Sequence, residues 1–382
     1  MNLNFIHKKS NLILADSAGK NILELCADKG SVVYRAYDYN PGKNTISEIS
    51  QEIKKYRFIS VVNCIYGSES FYFATCTEKE DGIKFSVYEY DFSAGESECV
   101  FKFYLNKDFS LQNDKIKIFI LNASNFLVQT ETLTPEDASN LMGVISFNLT
   151  LYNTETRESS QVDVPDFKNN GINVIIPVSE NTLVVKCGYS FIEDERFNML
   201  AENEALIESV YITSTARFLA DISMNATTGN LSLTDTAYFE KCITTPKAEG
   251  NFIYYEIIDI INKSVDINFI NINTFARFTY KKSDDEPASS STPLVIKNTP
   301  YIRISQSGRE RFLNLTNGLE DMEFTDESFV GSCADLLIFS KKRRKKEYLR
   351  FYCVPSVEMI YEESCSFGAI CSHNNEYYIY IE

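Results

Sequence analysis

Six consecutive cations, Lys341, Lys342, Arg343, Arg344, Lys345 and Lys346, interrupt a chain of 382 residues that carries 53 acidic against 37 basic side chains and a formal charge of −16. Such a run can neutralise phosphates and release their counterions, address a protein for nuclear import, or hold an acidic partner. It can also be the solvated tip of a hairpin, where charge keeps an outer strand from pairing with another chain. The acidic excess repels nucleic acid and anionic lipid over most of the surface, so any contact with a polyanion is local to this run. Two acidic groups stand against it: Glu136 and Asp137 in "TLTPEDASNLM", and Glu193, Asp194 and Glu195 in "IEDERFNMLAENEALIES". Paired carboxylates do acid–base or metal chemistry when a rigid frame fixes their separation. Glu193 to Glu195 are adjacent in a long polar stretch, which supplies no such frame. The readings they support are a solvated helix or the docking of a partner.

Other chemistry is sparse. His7 and His373 are the only histidines, and no Ser/His/Asp or Cys/His set stands out. The ten cysteines form no Cys-x-x-Cys pair and no cluster with histidine, which argues against zinc. Most lie in apolar strand patterns and read as buried, reduced thiols of a cytoplasmic or nuclear protein. "SGRERF" (307–312) lacks the Gly-Lys-Ser/Thr end of a phosphate loop. Asp221, Asn225 and Asn230 miss the glycine and terminal glutamate of a calcium loop, and their segment reads as a hairpin turn. The amino-terminal stretch has no apolar centre of a secretion signal, and no window reaches the ~18 apolar residues that span a bilayer. No cofactor, metal, membrane contact or small-molecule substrate is expected. Other proteins are the expected partners, with RNA at the basic run as an alternative.

Composition indicates what must position these groups. With 23 Tyr and 27 Phe, no Trp, and many Ile and Val, the chain favours strands. It also repeats itself. "SFYFATC" (70–76), "SFVGSC" (328–333) and "SFGAIC" (366–371) each open on Ser-Phe and end in Cys. "NTLVVKC" (181–187), "NILELC" (21–26), "NFLVQTE" (125–131) and "NFIYYEI" (251–257) are looser copies. Each is followed by an alternating strand and a turn, most clearly in "SFYFATCTEKEDGIKFSVYEYDFSAGESECVFKF". An Ile- and Val-rich strand often precedes the copy, as in "FISVVNCIYG" and "INVIIPVSE". Four strands per unit, arranged radially, make a β-propeller.

These segments resemble WD40 repeats. In "FVGSCADLLIFSKKRRKKEYLRF" Asp335 stands at the turn where that family has an Asp, and Tyr37-Asp38 and Tyr90-Asp91 stand where it has Trp-Asp. Gly-His pairs and Trp are missing, so the pattern is that of a divergent, WD40-like propeller, which implies a rigid frame that presents loops. The last unit, read as "SVEMIYEES", "SFGAICSHN" and "EYYIYIE", lacks an outer strand. "NLNFIHKK" can supply it, which closes the ring and removes exposed edges. The expectation is one all-β domain over 1–382, a seven-bladed propeller closed by an amino-terminal strand joined to the last blade. Six or eight blades are the alternatives, because 281–320 shows no clear unit.

In this strand order, loops after second and fourth strands share one rim. Glu136 and Asp137 fall there, in a short helical turn begun by Pro135. So does 192–209, an acidic and partly helical insertion with Phe197, Leu200, Ala201, Leu206 and Ile207 as its apolar stripe. Residues 281–293, "KKSDDEPASSSTP", read as a flexible loop. The basic run is assigned to the slot between third and fourth strands of the sixth unit, shared with PGKN, SAGE and TETR, on the opposite rim. The expected function is a non-catalytic protein–protein interaction scaffold, a subunit of an intracellular multiprotein or ribonucleoprotein complex, and not an enzyme. The acidic face and the basic tip would hold separate partners; this rests on analogy of fold. One alternative is a propeller hydrolase or lyase with a carboxylate site in its channel, though no Trp is present to stack on sugars. The other is an RNA-contacting subunit that uses the basic tip.

Overall fold

The computed structural model describes the whole chain except residues 1, 8–12, 16–20, 29–30, 41–44, 54–56, 63–69, 92–95, 112–113, 138–139, 190–206, 224–231, 238–240, 283–290, 344–345, 355, 366, 374–375 and 382. After β1 (Asn2–His7) the chain folds into eight sheets in succession. Sheet one holds β2 (Ile13–Ala15), β3 (Asn21–Asp28), β4 (Ser31–Asn40) and β5 (Thr45–Ile53). Sheet two holds β6 (Arg57–Val61), β7 (Ser70–Lys79), β8 (Gly82–Asp91) and β9 (Glu96–Asn106). Sheet three holds β10 (Lys115–Ile120), β11 (Asn125–Asp137), β12 (Asn140–Asn153) and β13 (Glu158–Val162), and helix α1 (Pro165–Asn170) leads out of it. Sheet four holds β14 (Ile172–Ser179), β15 (Thr182–Cys187), β16 (Glu208–Ser214) and β17 (Ser232–Ala237), with helix α2 (Thr215–Ser223) before its last strand.

Sheet five starts with a first strand in two pieces, β18 (Lys241–Ile243) and β19 (Lys247–Glu249), followed by β20 (Phe252–Asp259), β21 (Ser264–Asn271) and β22 (Arg277–Lys282). Sheet six holds β23 (Ser291–Ile296), β24 (Thr299–Gln306), β25 (Arg309–Asn314) and β26 (Leu319–Thr325). Sheet seven holds β27 (Ser328–Cys333), β28 (Leu336–Arg343), β29 (Lys346–Cys353) and β30 (Glu358–Glu363). Sheet eight pairs β31 (Phe367–His373) with β32 (Glu376–Ile381), and β1 lies beside β32 in parallel.

Burial differs between strands of a sheet. Two second strands have stretches buried on both faces: Leu336 to Ser340 of β28 are buried without a break, as are Leu183 to Cys187 of β15. Fourth strands are wet; Glu158 to Gln161 of β13 and Glu358 to Tyr361 of β30 are exposed. A strand buried on both faces is covered by a sheet on either side. The clusters confirm it. Val87, Phe101 and Phe103 of sheet two pack with Ile118, Phe126 and Val128 of sheet three, where Phe101 stacks on Phe126 at 4.7 Å. Between sheets six and seven, Phe324 meets Phe339 at 4.2 Å. The array is therefore all-β and propeller-like, with sheets two to eight packed face to face in succession.

Three of these junctions also carry a buried polar contact of one kind, in which a side chain of one sheet accepts a backbone N–H from the first strand of the next. Gln129 Oε1 accepts Ile172 N–H at 2.6 Å, and Gln129 Nε2 donates back to Ile172 O at 3.0 Å. Glu208 Oε2 accepts Ile243 N–H at 3.1 Å and also faces Lys186 Nζ at 3.1 Å, in an ion pair almost wholly buried. Glu249 accepts the N–H of Val295.

Several expectations are corrected. Residues 291–325, within or beside the region that shows no clear unit in the sequence, form a whole four-stranded sheet. "SVEMIYEES" provides the outer strand of sheet seven and not the start of the last unit. The helical turn at Pro135 is absent, because β11 runs through Glu136 to Asp137 and its ladder to β12 resumes at Asn140. Cross-strand pairing outweighs the local Pro-Glu-Asp signal there. Asp221, read as part of a hairpin turn, lies in α2, whose Phe218 and Ile222 enter the core and whose Arg217 N–H is capped by Ser214 Oγ at 3.2 Å. Helix α1 begins at Pro165 and ends at Gly171, whose φ is 71°. Of the expected 192–209 insertion, Glu208 and Ser209 belong to β16 and 192–206 lies outside the described residues. Of the expected loop 281–293, only 283–290 lies outside them, between β22 and β23.

Breaking the Lys186–Glu208 pair leaves one buried charge alone, which costs about 3–5 kcal/mol. Lys186→Met is expected to lower stability in urea denaturation by that order. Lys186→Met with Glu208→Gln, which keeps an acceptor for Ile243, is expected to recover most of the loss.

Candidate functional site

The basic run forms the two sides of a hairpin tip. Lys341, Lys342 and Arg343 end β28, Lys346 begins β29 opposite Arg343, and Arg344 and Lys345 lie outside the described residues. This tip joins the second and third strands of sheet seven, whereas PGKN, SAGE and TETR join third and fourth strands. The expected slot is thus corrected by one strand. "SFVGSC" is a first strand, not the counterpart of "SFYFATC", which is a second strand. The tip therefore shares its position in the sheet with Glu136 and Asp137 and with the segment 190–206 that holds Glu193, Asp194 and Glu195. The opposite-rim expectation fails for that reason. The side chains of Glu136 and Asp137 and all of Glu193 to Glu195 lie outside what is described.

The cations are tied down at their base. Lys341 Nζ lies 3.8 Å from Glu327 Oε1, and Arg343 donates to Glu362 Oε1 at 3.0 Å. Glu327 is buried; it also takes the Tyr352 hydroxyl at 2.8 Å and pairs with Arg350. Burial disfavours the Arg350 cation, but its bonds to Glu362 and Glu327 together hold the guanidinium firmly charged. The hydrogen bond from Arg350 keeps the Glu362 carboxyl below its ordinary range, against a smaller effect of burial. Lys342 and Lys346 are exposed.

The two ends of 190–206 are fixed from below. Tyr189 is buried, and its hydroxyl donates to buried Glu131 Oε1 at 2.5 Å and lies 2.9 Å from Ile172 O. Gln129 Nε2 reaches Glu131 at 3.0 Å and Tyr189 at 3.1 Å, and Lys117 Nζ sits 4.4 Å over the Tyr189 ring. Gly188 N–H is held by Gly171 O at 3.0 Å, and Ile207 N–H by Asn170 Oδ1 at 2.9 Å. Gly188 has φ 80°, and a Cβ there would stand 2.5 Å from Ile207 O, so the position requires glycine.

A second site lies between sheets five and six. Opposed residues of an antiparallel pair share a face. Lys247 opposes Tyr254 and Glu249 opposes Phe252, while Glu256 lies two residues beyond Tyr254. Phe252 and Tyr254 pack toward Val295 and Ile302 of sheet six, so all five face that sheet. The pairing of the first strand with β20 is interrupted at Thr244-Thr245-Pro246, between Ile243 and Lys247. Thr244 fills the gap, giving its N–H to Glu256 O and accepting Glu256 N–H on Oγ1, both at 2.9 Å. The break leaves a notch of 310 Å³ lined by Thr245, Lys247, Tyr254, Glu256, Thr292 and Pro293 among others.

Ionisation is shifted around this notch. Burial raises the Glu249 carboxyl to about 7, opposed by the Val295 N–H and by Lys247. Burial also raises Glu256, with Lys282 and Lys247 opposing. Tyr254 is pushed up to about 12, by burial and then by the charge of Glu249. Groups shifted in this way beside a cleft mark a candidate site. None of them was singled out from sequence. The available signal was the run Thr244-Thr245-Pro246 within "KCITTPKAEG", polar and proline-bearing.

No protein-family model matches the chain, and a comparison with curated proteins gives no match. Among solved structures the chain is similar to apo AztD from Citrobacter koseri, at 9% identity over 92% of this chain and 85% of that one, with a TM-score of 0.40. It is similar to prolyl oligopeptidase B from Galerina marginata at 9% identity, 91% and 47% coverage and a TM-score of 0.46. It is similar to the Dos1 propeller at 11% identity, 86% and 74% coverage and a TM-score of 0.39. A prolyl endopeptidase and an acylaminoacyl peptidase are similar at the same level, and the chain spans about half the length of the peptidases. The expectation that the chain is not an enzyme is corrected by these findings: peptidases stand among the similar structures, so this arrangement of sheets gives no ground for excluding catalysis. Identities of 9–12% carry none of their activities to this chain.

Because Glu249 ionises near 7 in the folded chain against 4.5 ordinarily, the folded state holds its proton more tightly. Its contribution to stability is therefore full below about pH 4.5 and declines as pH rises to about 7. Glu249→Gln is expected to flatten the fall in unfolding midpoint measured across that window in urea.

Proposed function

We propose that the chain is a WD40-like propeller that serves as a protein–protein interaction platform, its eight sheets set in a ring closed by β1 beside β32. Partner proteins would sit on the rim formed by the loops between second and third strands. The observation that supports this reading is the buried polar structure that holds two of those loops at their base. Glu131, Gln129 and Tyr189 fix one, and Glu327 with Arg350 and Tyr352 fixes the other. Polar groups in a core cost free energy unless each is satisfied, and here they stiffen loop ends. A rigid frame with loops held at defined places is how folds of this kind present recognition surfaces. The acidic segment 190–206 and the basic tip would then meet one partner surface together. RNA contact at the tip is the weaker reading, since Lys341 and Arg343 already face carboxylates of the chain.

A second reading, a propeller enzyme that works with carboxylates, is favoured by one observation: Glu256 lines the notch and burial raises its carboxyl, as it raises that of Glu249 on the neighbouring strand.

Native pull-down separates these. Proteins that co-purify with the wild type are expected to be lost when 190–206 is replaced by a short Gly-Ser link, weakened by Lys342→Ser with Lys346→Ser, and unaffected by nuclease. Retention of every protein in both variants would overturn the platform reading, and loss on nuclease treatment would favour RNA. The double Ser variant is expected to stay within about 0.5 kcal/mol of wild type. Glu327→Ala, which leaves Arg350 only Glu362 and frees the buried Tyr352 hydroxyl, is expected to cost about 1–3 kcal/mol in urea denaturation.

A further inference from the structure

The notch between sheets five and six carries charges of both signs on one face. Lys247 and Glu256 both line it, on neighbouring strands of sheet five, and no ion pair joins them among the described residues. Two opposite charges that share a cavity without closing on each other leave room for a ligand that carries both. The cavity measures 310 Å³, at the small end of the range for ligand pockets. Its remaining lining residues are Thr244, Thr245, Tyr254, Tyr255, Thr292 and Pro293. A carboxylate and an ammonium set apart in this way match an ammonium and a carboxylate on one short skeleton, and the hydroxyls match polar edges beside them.

We propose that this notch binds a small zwitterion, a free α-amino acid, with its ammonium group on Glu256 and its carboxylate on Lys247. Glu249 and Lys247 on β19, Tyr254 on β20 and Lys282 on β22 are the charged and titratable neighbours of Glu256 on this face. Lys282 and Lys247 offset the burial that disfavours Glu256 as an anion, and an incoming ammonium adds to them. Thr244 holds the backbone of Glu256 on both sides, which fixes the carboxylate's base before any ligand arrives. Both charged side chains are at least partly exposed, so a ligand reaches them without unpacking the core. The inference rests on the notch of the enzyme reading but not on any turnover there.

The test is titration calorimetry and thermal shift of the full chain with each of the twenty free L-amino acids in turn. At least one is expected to bind, with affinity lowered about tenfold or more in Glu256→Gln and in Lys247→Met. Its N-acetyl and C-amide derivatives are expected to lose as much, since each removes one of the two charges. Thr292→Leu, which fills the notch without touching either charge, is expected to block binding as well. Absence of binding by all twenty, or wild-type affinity in both charge variants, would overturn the proposal. Binding with no product detected by mass spectrometry would support it while counting against the enzyme reading, so the two can fail separately.

Discussion

The structure depends on what becomes of the outward N–H groups of each sheet's first strand. A four-stranded sheet satisfies its inner backbone through its own ladder, but its first strand has an open side that faces neighbouring sheets and not bulk water. Ile172, Ile243 and Val295 show the solution: the preceding sheet sends an amide or a carboxylate across to each of them. A buried N–H left bare costs about 1–3 kcal/mol. Three such contacts are therefore comparable with a large part of the 5–15 kcal/mol that keeps a typical domain folded. Because each acceptor reaches a single backbone group in the next sheet, it also sets the order and spacing of sheets, which apolar packing alone leaves loosely specified.

The same contacts explain why polar groups accumulate at functional positions. Glu131 sits two residues along from Gln129 and so points into the same junction, where Tyr189 closes over it and pins the start of 190–206. Glu249 holds Val295 and stands two residues from Lys247, which lines the notch. An acceptor placed for assembly thus sits next to the place where a ligand or partner would meet the protein. The apolar side of each junction, such as Phe101 on Phe126 or Phe324 on Phe339, supplies bulk attraction but no such direction.

The all-β class and the unit of four strands were legible in the sequence because strand chemistry is local: "SFYFATC", "NFLVQTE" and "NTLVVKC" are all second strands of their sheets. "SFVGSC" carries the same letters in a first strand, and that coincidence moved the basic run to the wrong slot. Nothing in six residues tells which side of a strand faces a neighbouring sheet. Helix α1 was legible in principle from Pro165 and Gly171, but the apolar runs on either side of it dominate the pattern. The notch residues were not legible at all. Lys247, Tyr254 and Glu256 come together only through the register of β19 on β20 and the approach of β23 from the next sheet.

The interruption at Thr244-Thr245-Pro246 sets sheet five apart mechanically. β23, by contrast, pairs with β24 in one unbroken register although it carries Pro293. In sheet five the first strand pairs with β20 in two short lengths, bridged only by Thr244. A strand held in two short lengths lets either piece open from β20 without unzipping the other, and Glu256, paired through Thr244 at the gap, would then meet more water.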